Sequence, residues 1–171
     1  MRGESSKMRA NKGVEMEKES KGYYVGIPIG EGEESGYAHV TIAIRQICSP
    51  EDVARMTETI KSRLKPLLPL VLRIEKIQIM LGYKNDVPAH RVHFVHPEHR
   101  IVIEGFYREF YNQTPGHTEY PELSAHVAVG GEERKKTIDK ILDGQNGVYV
   151  ACAIQMKQLG DKKVLFEVES F

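Results

Sequence analysis

The residues of this chain best suited to chemistry are two histidines on otherwise apolar, strand-like segments. These are Tyr37-Ala38-His39-Val40-Thr41-Ile42-Ala43-Ile44 and Leu123-Ser124-Ala125-His126-Val127-Ala128-Val129. Successive side chains in a strand alternate faces, so His39 and Thr41 point the same way, roughly 7 Å apart along the chain. An imidazole and a hydroxyl at that separation can both reach one small anion. His126 repeats the pattern, but Ala128 stands where the first segment carries the Thr41 hydroxyl. Two imidazoles suit acid and base work on one phosphate, since with an ordinary pKa near ~6.5 one can be neutral and the other protonated. Tyr37 and Ser124 lie two residues before their histidines and are expected on the same faces. Tyr37 would stack on a base or bond the phosphate, and Ser124 would partly replace the hydroxyl missing at Ala128. Arg45 shares the face of His39 but lies far along the strand, where a solvated strand end is its expected surroundings.

The tetrad His39-Val40-Thr41-Ile42 in full, and His126-Val127-Ala128-Val129 at its histidine and both apolar positions, resemble the motifs of the two-histidine (2H) phosphoesterase superfamily. In that superfamily two His-x-(Thr/Ser)-x motifs lie on the central strands of two related lobes. The resemblance covers about residues 23 to 171. It implies a phosphodiesterase hydrolysing a 2′,3′-cyclic phosphate or a 2′-5′ phosphodiester in RNA, an oligoadenylate or a small nucleotide. His39 and His126 would be the acid and base, and Thr41 would donate to a non-bridging oxygen. The scheme requires no cofactor and no metal. Ala128 departs from the pattern and motivates an alternative, a catalytically weakened nucleotide- or RNA-binding domain of the same fold. A third reading is a structural domain in which both histidines are incidental.

Composition bounds the partners. The chain has 171 residues, the size of one ordinary domain. Lys plus Arg and Asp plus Glu number 24 each, and the pI is near 7.1, so the net charge carries no footprint of a long nucleic-acid binder. A small nucleotide or short RNA fits that balance better. Cys48 and Cys152 lack metal-type spacing, and neither a signal peptide nor an apolar run of membrane length occurs. The expectation is a protein of a reducing compartment, cytoplasmic or nuclear, with no membrane association and no stable protein partner indicated. His90, His93, His96 and His99 recur every third residue, but on a strand that spacing alternates faces, and Pro88 and Pro97 prevent one continuous helix. A metal site is not expected there. His117 reads equally as a substrate-loop residue or an exposed turn, and Gly130-Gly131 as a strand-to-helix turn.

The elements that must position these residues follow from punctuation and period. Residues 1 to 22 hold too few apolar side chains to offset ordering entropy and are expected to be a disordered tail, leaving residues 23 to 171 as the domain. Strands are expected over Tyr23–Ile29, Tyr37–Ile47, Ile74–Tyr83, Arg91–His96 and Leu123–Val129. Ser49-Pro50-Glu51-Asp52 starts a helix whose stripe is Val53, Met56, Ile60 and Leu64 and which Pro66 ends. Further helices are expected from about Arg100 to Asn112, through Ile103, Phe106, Tyr107 and Phe110, and over Glu132–Leu142, closing on Gly144. A final hairpin runs Val148–Gln158, turns at Leu159-Gly160-Asp161 and returns over Lys163–Phe171. The two halves look alike. The expected fold is α+β, with two pseudo-symmetric lobes, each an antiparallel sheet with outer helices, enclosing a central cleft with both histidines at its floor.

Overall fold

Strands whose centres are buried on both faces build the first sheet. In β1 (Lys21–Pro28) Val25 and Ile27 are fully buried, and in β2 (His39–Cys48) so are Val40, Ile42 and Ala43. The two strands pair antiparallel, with Pro28 opposite His39 and Gly26 opposite Thr41. The structure, a computed structural model, describes residues 21–80, 87–111, 122–161 and 163–170. It is an α+β fold of two four-stranded antiparallel sheets and, among the described residues, three α-helices. The first sheet has the order β2-β1-β7-β8, completed by β7 (Ala153–Gln158) and β8 (Val164–Glu169). The second has the order β5-β4-β3-β6, from β3 (Leu70–Met80), β4 (Val87–Phe94), β5 (His126–Ala128) and β6 (Val148–Ala151). The histidine-bearing strands β2 and β5 are thus edge strands of separate sheets, and they pack against each other.

The helices form on the expected apolar stripes, the second starting at Pro97, three residues before the expected Arg100. Helix α1 (Pro50–Thr59) is capped by Ser49, whose side chain accepts from the Asp52 amide while the Asp52 carboxylate accepts from the Ser49 amide. Its stripe Met56, Ile60 and Leu64 is fully buried, with Val53 packed beside it. The α-helix proper stops at Thr59, and a π-turn (Ile60–Leu64) and a 3₁₀ turn holding Pro66 carry the stripe onward. Helix α2 (Pro97–Phe110) buries Ile103, Phe106, Tyr107 and Phe110 and packs on β2 and β4. Helix α3 (Glu132–Gly144) buries Ile138 and Ile141 and packs on β3 and β6. Burial of this order stabilises by about 1.5–3 kcal/mol per large side chain. No helix among the described residues is long and apolar enough to cross a membrane.

Several expectations need correction. Val148–Gln158 is not one strand: at Cys152 the chain passes from one sheet to the other, because the Cys152 carbonyl accepts from the Ser170 amide at 2.8 Å and Ala153 then pairs with Glu169. Gly144 lies inside α3. The turn is made by Asn146 and Gly147 at φ 53° and 79°, and a Cβ on Gly147 would lie 2.6 Å from the Ile74 carbonyl oxygen. β3 begins four residues before the expected Ile74, at Leu70. Lys21 and Gly22, assigned to the tail, belong to β1. The rest of the tail, Tyr83 and His117 lie outside the described residues.

Candidate functional site

His39 opens β2 and His126 opens β5, and the two rings are held by the same device. His39 Nδ1 lies 2.8 Å from the carbonyl oxygen of Tyr37, and His126 Nδ1 lies 2.7 Å from that of Ser124, in each case two residues earlier in the chain. A carbonyl can only accept, so Nδ1 carries the hydrogen in both rings. Nε2 is therefore the nitrogen that gains and loses a proton in each. The rings are near enough that the charge of His126 is felt at His39.

The surroundings of His39 are cationic. Burial pushes its pKa down from the ordinary 6.5, and Arg134, Lys157 and His126 push it further, against the opposing effect of the Tyr37 carbonyl. Neutral imidazole is thus the favoured form of His39 near neutral pH. Lys157 is only 7% exposed and sits opposite Tyr24 in the pairing of β1 with β7, with its Nζ 5.1 Å from the centre of the Tyr37 ring. Tyr24 packs on His39, ring centres 5.0 Å apart, and burial raises its own pKa while Arg134 opposes the rise. Gly26 lies against this pair: a Cβ there would be in ordinary van der Waals contact with His39 Cδ2 at 3.4 Å and Tyr24 Cε2 at 3.5 Å.

Arg134 ties the two histidine strands together. Its Nε and Nη2 donate to the Gly36 carbonyl at 3.2 and 3.0 Å, and its Nη1 donates to the Ala128 carbonyl at 3.1 Å. Two glycines clear its path, since a Cβ on Gly130 would lie 2.8 Å from Arg134 Nε and one on Gly36 would lie 2.7 Å from the Arg134 backbone nitrogen. Gly36 also takes φ 64°, a left-handed conformation that a Cβ disfavours.

The structure therefore brings His39, Thr41 and His126 together on adjoining strands and treats the other expected residues differently. Thr41 is half-buried, on the same face as His39, and among the described residues its hydroxyl has no hydrogen-bond partner. Tyr37 is in a turn at φ 55°, not on the strand, so alternation does not place it. Its hydroxyl donates to Glu33, and it reaches the site through its carbonyl and through Lys157. Ser124 precedes β5, which spans only three residues, and contributes its carbonyl while its side chain is exposed. Arg45 is not at a solvated end but half-buried, 3.4 Å from Asp52 at the start of α1. A cavity of about 450 Å³ adjoins the site, lined by Pro28, Tyr37, Ala38, Tyr149, Gln155 and Lys157.

Of the histidines in the triplet-spaced run, His90 is buried with Nδ1 against the Glu75 carbonyl at 2.8 Å, and His93 Nε2 lies 3.1 Å from the Glu75 carboxylate. His96 precedes α2 and meets His99 edge-on at 5.1 Å. Sequence reasoning missed Tyr24, Arg134 and Lys157. Arg134 carried a usable signal, a cation in the first turn of a helix, where the macrodipole favours acids such as Glu132 and Glu133. Lys157 carried none, being one more polar residue on an alternating strand. No protein-family model and no curated protein matches this chain.

Proposed function

We propose that this protein is a phosphodiesterase of the two-histidine type, hydrolysing a 2′,3′-cyclic phosphate or a 2′-5′ phosphodiester, with its two sheets acting as pseudo-symmetric lobes around a central cleft. The observation that carries this reading is the matched fixing of His39 and His126, each by Nδ1–H on the carbonyl two residues before it, on two strands that pack against each other. The depressed pKa of His39 suits it to the role of base and leaves His126 as the acid. On a cyclic phosphate, His39 Nε2 takes a proton from water as the water oxygen bonds phosphorus, and His126 Nε2 gives its proton to the departing ribose oxygen. On a 2′-5′ linkage, the neighbouring 3′-hydroxyl replaces water and the 5′-oxygen departs. Thr41, Arg134 and Lys157 meet the charge that builds on the non-bridging oxygens. The substrate is a small nucleotide or short RNA, and the expected location is the cytoplasm or nucleus.

Ala128 favours a second reading, a domain of the same fold that binds nucleotide or RNA without turnover. A panel of 2′,3′-cyclic nucleotides and of 2′-5′ and 3′-5′ oligonucleotides, each assayed with and without chelator, separates the two. The enzyme turns over a member of the panel regardless of chelator, and His39→Ala or His126→Ala each costs at least about a hundredfold while the fold is kept. Saturable binding with no turnover selects the second reading, and a His126→Ala variant as active as wild type removes the mechanism.

A further inference from the structure

A basic face extends from His126 across the second sheet. Arg91 on β4 is the partner of His126 on β5, and His93 on β4 is the partner of Arg73 on β3. Paired residues share a face, and Arg91 and His93, two apart, share it with each other. Their neighbours His90 and Val92 are on the opposite, buried face. Arg73, Arg91 and His93 are all exposed. The Glu75 carboxylate beside them is engaged by His93 and Gln78. A groove of about 390 Å³ runs along this edge, lined by Arg91, His93, Arg100 and Ser124 together with Glu104 and Glu122, and Glu104 is paired to Arg100 at 3.7 Å.

Among the described residues, the other sheet offers no such exit. Beyond Lys157 its corresponding face carries Gln155 and Glu167, paired to each other, with Glu169 alongside, where a hydrogen bond with Glu167 and then the repulsion between the two carboxylates raise the pKa of Glu169. A run of phosphates leaving the histidines is repelled there and attracted across β4 and β3.

We propose that the open face of β5, β4 and β3 holds the backbone of a single-stranded RNA, Arg91 meeting the phosphate next to the reacting one and Arg73 the phosphate beyond. Adjacent strands are about 4.8 Å apart, so the two guanidiniums step away from His126 by one strand and then two. Each is permanently charged and offers a fork of donors to phosphate. The substrate is therefore an oligonucleotide in preference to a mononucleotide. The reacting phosphate in this picture rests on the phosphodiesterase reading, whereas the track itself is measurable without turnover.

The test measures binding of a 5′-labelled RNA hexamer with a 3′-phosphate by fluorescence anisotropy from 50 to 200 mM salt, for wild type and Arg73→Gln/Arg91→Gln. In parallel, kcat/KM is measured on a cyclic mononucleotide and on a hexamer ending in a 2′,3′-cyclic phosphate. Each single-strand phosphate contact contributes about 0.7 to the slope of log K against log salt, so the double variant is expected to lose about 1.4 of that slope along with affinity. The ratio of hexamer to mononucleotide kcat/KM is expected to exceed ten in wild type and to fall towards one in the variant. Equal hexamer affinity and salt slope in the two proteins overturns the track, as does a wild type that does not bind the hexamer at 50 mM salt. Loss of binding in the variant with no turnover of either substrate supports the track and refutes the phosphodiesterase. Turnover of the mononucleotide with no advantage for the hexamer does the reverse.

Discussion

Replacing Arg134 with alanine removes three hydrogen bonds and one charge, and the two losses have separate readouts. The guanidinium bridges Gly36, one residue before the carbonyl that fixes His39, to Ala128 at the end of the His126 strand. A hydrogen bond involving a charged group contributes about 1.5–3 kcal/mol, but Arg134 is half-exposed and both carbonyls can rehydrate. The expected cost is thus that of about one such bond, ~2–3 kcal/mol, or a melting point lowered by about 5–10 °C in a chain of this length. The charge acts on His39: Arg134 is one of the groups that lower its pKa, so Arg134→Ala lets it rise. Arg134→Lys keeps the charge without the planar fork, and is expected to preserve the pKa of His39 while losing most of the stability. Calorimetry gives the first quantity. An NMR titration of the His39 ring gives the second without depending on activity. An Arg134→Ala protein that melts with wild type and titrates His39 unchanged would refute the bridging role and the electrostatic one together.

Other outcomes follow from the same geometry. The acid limb of kcat/KM, which reports the free enzyme, is expected below the ordinary 6.5 because the pKa of His39 is lowered; a limb at or above that value assigns the base elsewhere. The same shift affects stability: as pH falls from 6.5 through the folded pKa, the unfolded chain takes up the proton first and stability drops, so His39→Ala should lose less on acidification than wild type in denaturant melts. Gly36→Ala places a Cβ 2.7 Å from the Arg134 nitrogen in a left-handed conformation, and is expected to destabilise by at least about 1–2 kcal/mol, visible as a lower denaturant midpoint at unchanged slope. Thr41→Val should lower kcat by up to about a hundredfold if its hydroxyl meets charge in the transition state, and no change removes it from the reaction; Ala128→Thr should raise turnover or tighten phosphate binding, and no change there confines the second strand's contribution to its histidine.

Local physics made much of this fold readable. The Ser49–Asp52 capping box, the α1 stripe and the buried set Ile103, Phe106, Tyr107 and Phe110 depend on neighbours a few residues away, and they stand where periodicity placed them. What escaped depends on pairing partners distant in the chain. Nothing in Val148–Gln158 marks Cys152 as the crossing from one sheet to the other, because the bonds that divide it come from Ser170. Tyr37 was misplaced because alternation was extended into a turn closed by Gly36, and Ser124 because β5 is only three residues long. Within the site, the histidines and Thr41 were legible from their tetrads, whereas Arg134 and Lys157 arrive from a helix and a strand that share no motif with them.

That division of labour bears on how the base would be timed. On the phosphodiesterase reading, the two cations that add to the lowering of the His39 pKa are also the groups an incoming phosphate would meet. When the site is empty, burial together with their field keeps His39 neutral and a weak acceptor, ready in form but with little drive to take a proton. A bound phosphate brings negative charge against the same cations and offsets part of their field at the ring, so the proton acquired from the nucleophile is better stabilised while substrate is present. A hydroxyl at position 128 would add a donor to the phosphate but, carrying no net charge, could not take part in this offset. On the phosphodiesterase reading, Arg134 and Lys157 thus meet the phosphate charge that the missing hydroxyl would have met, and Ala128 is a smaller loss to the site than the motif alone suggests.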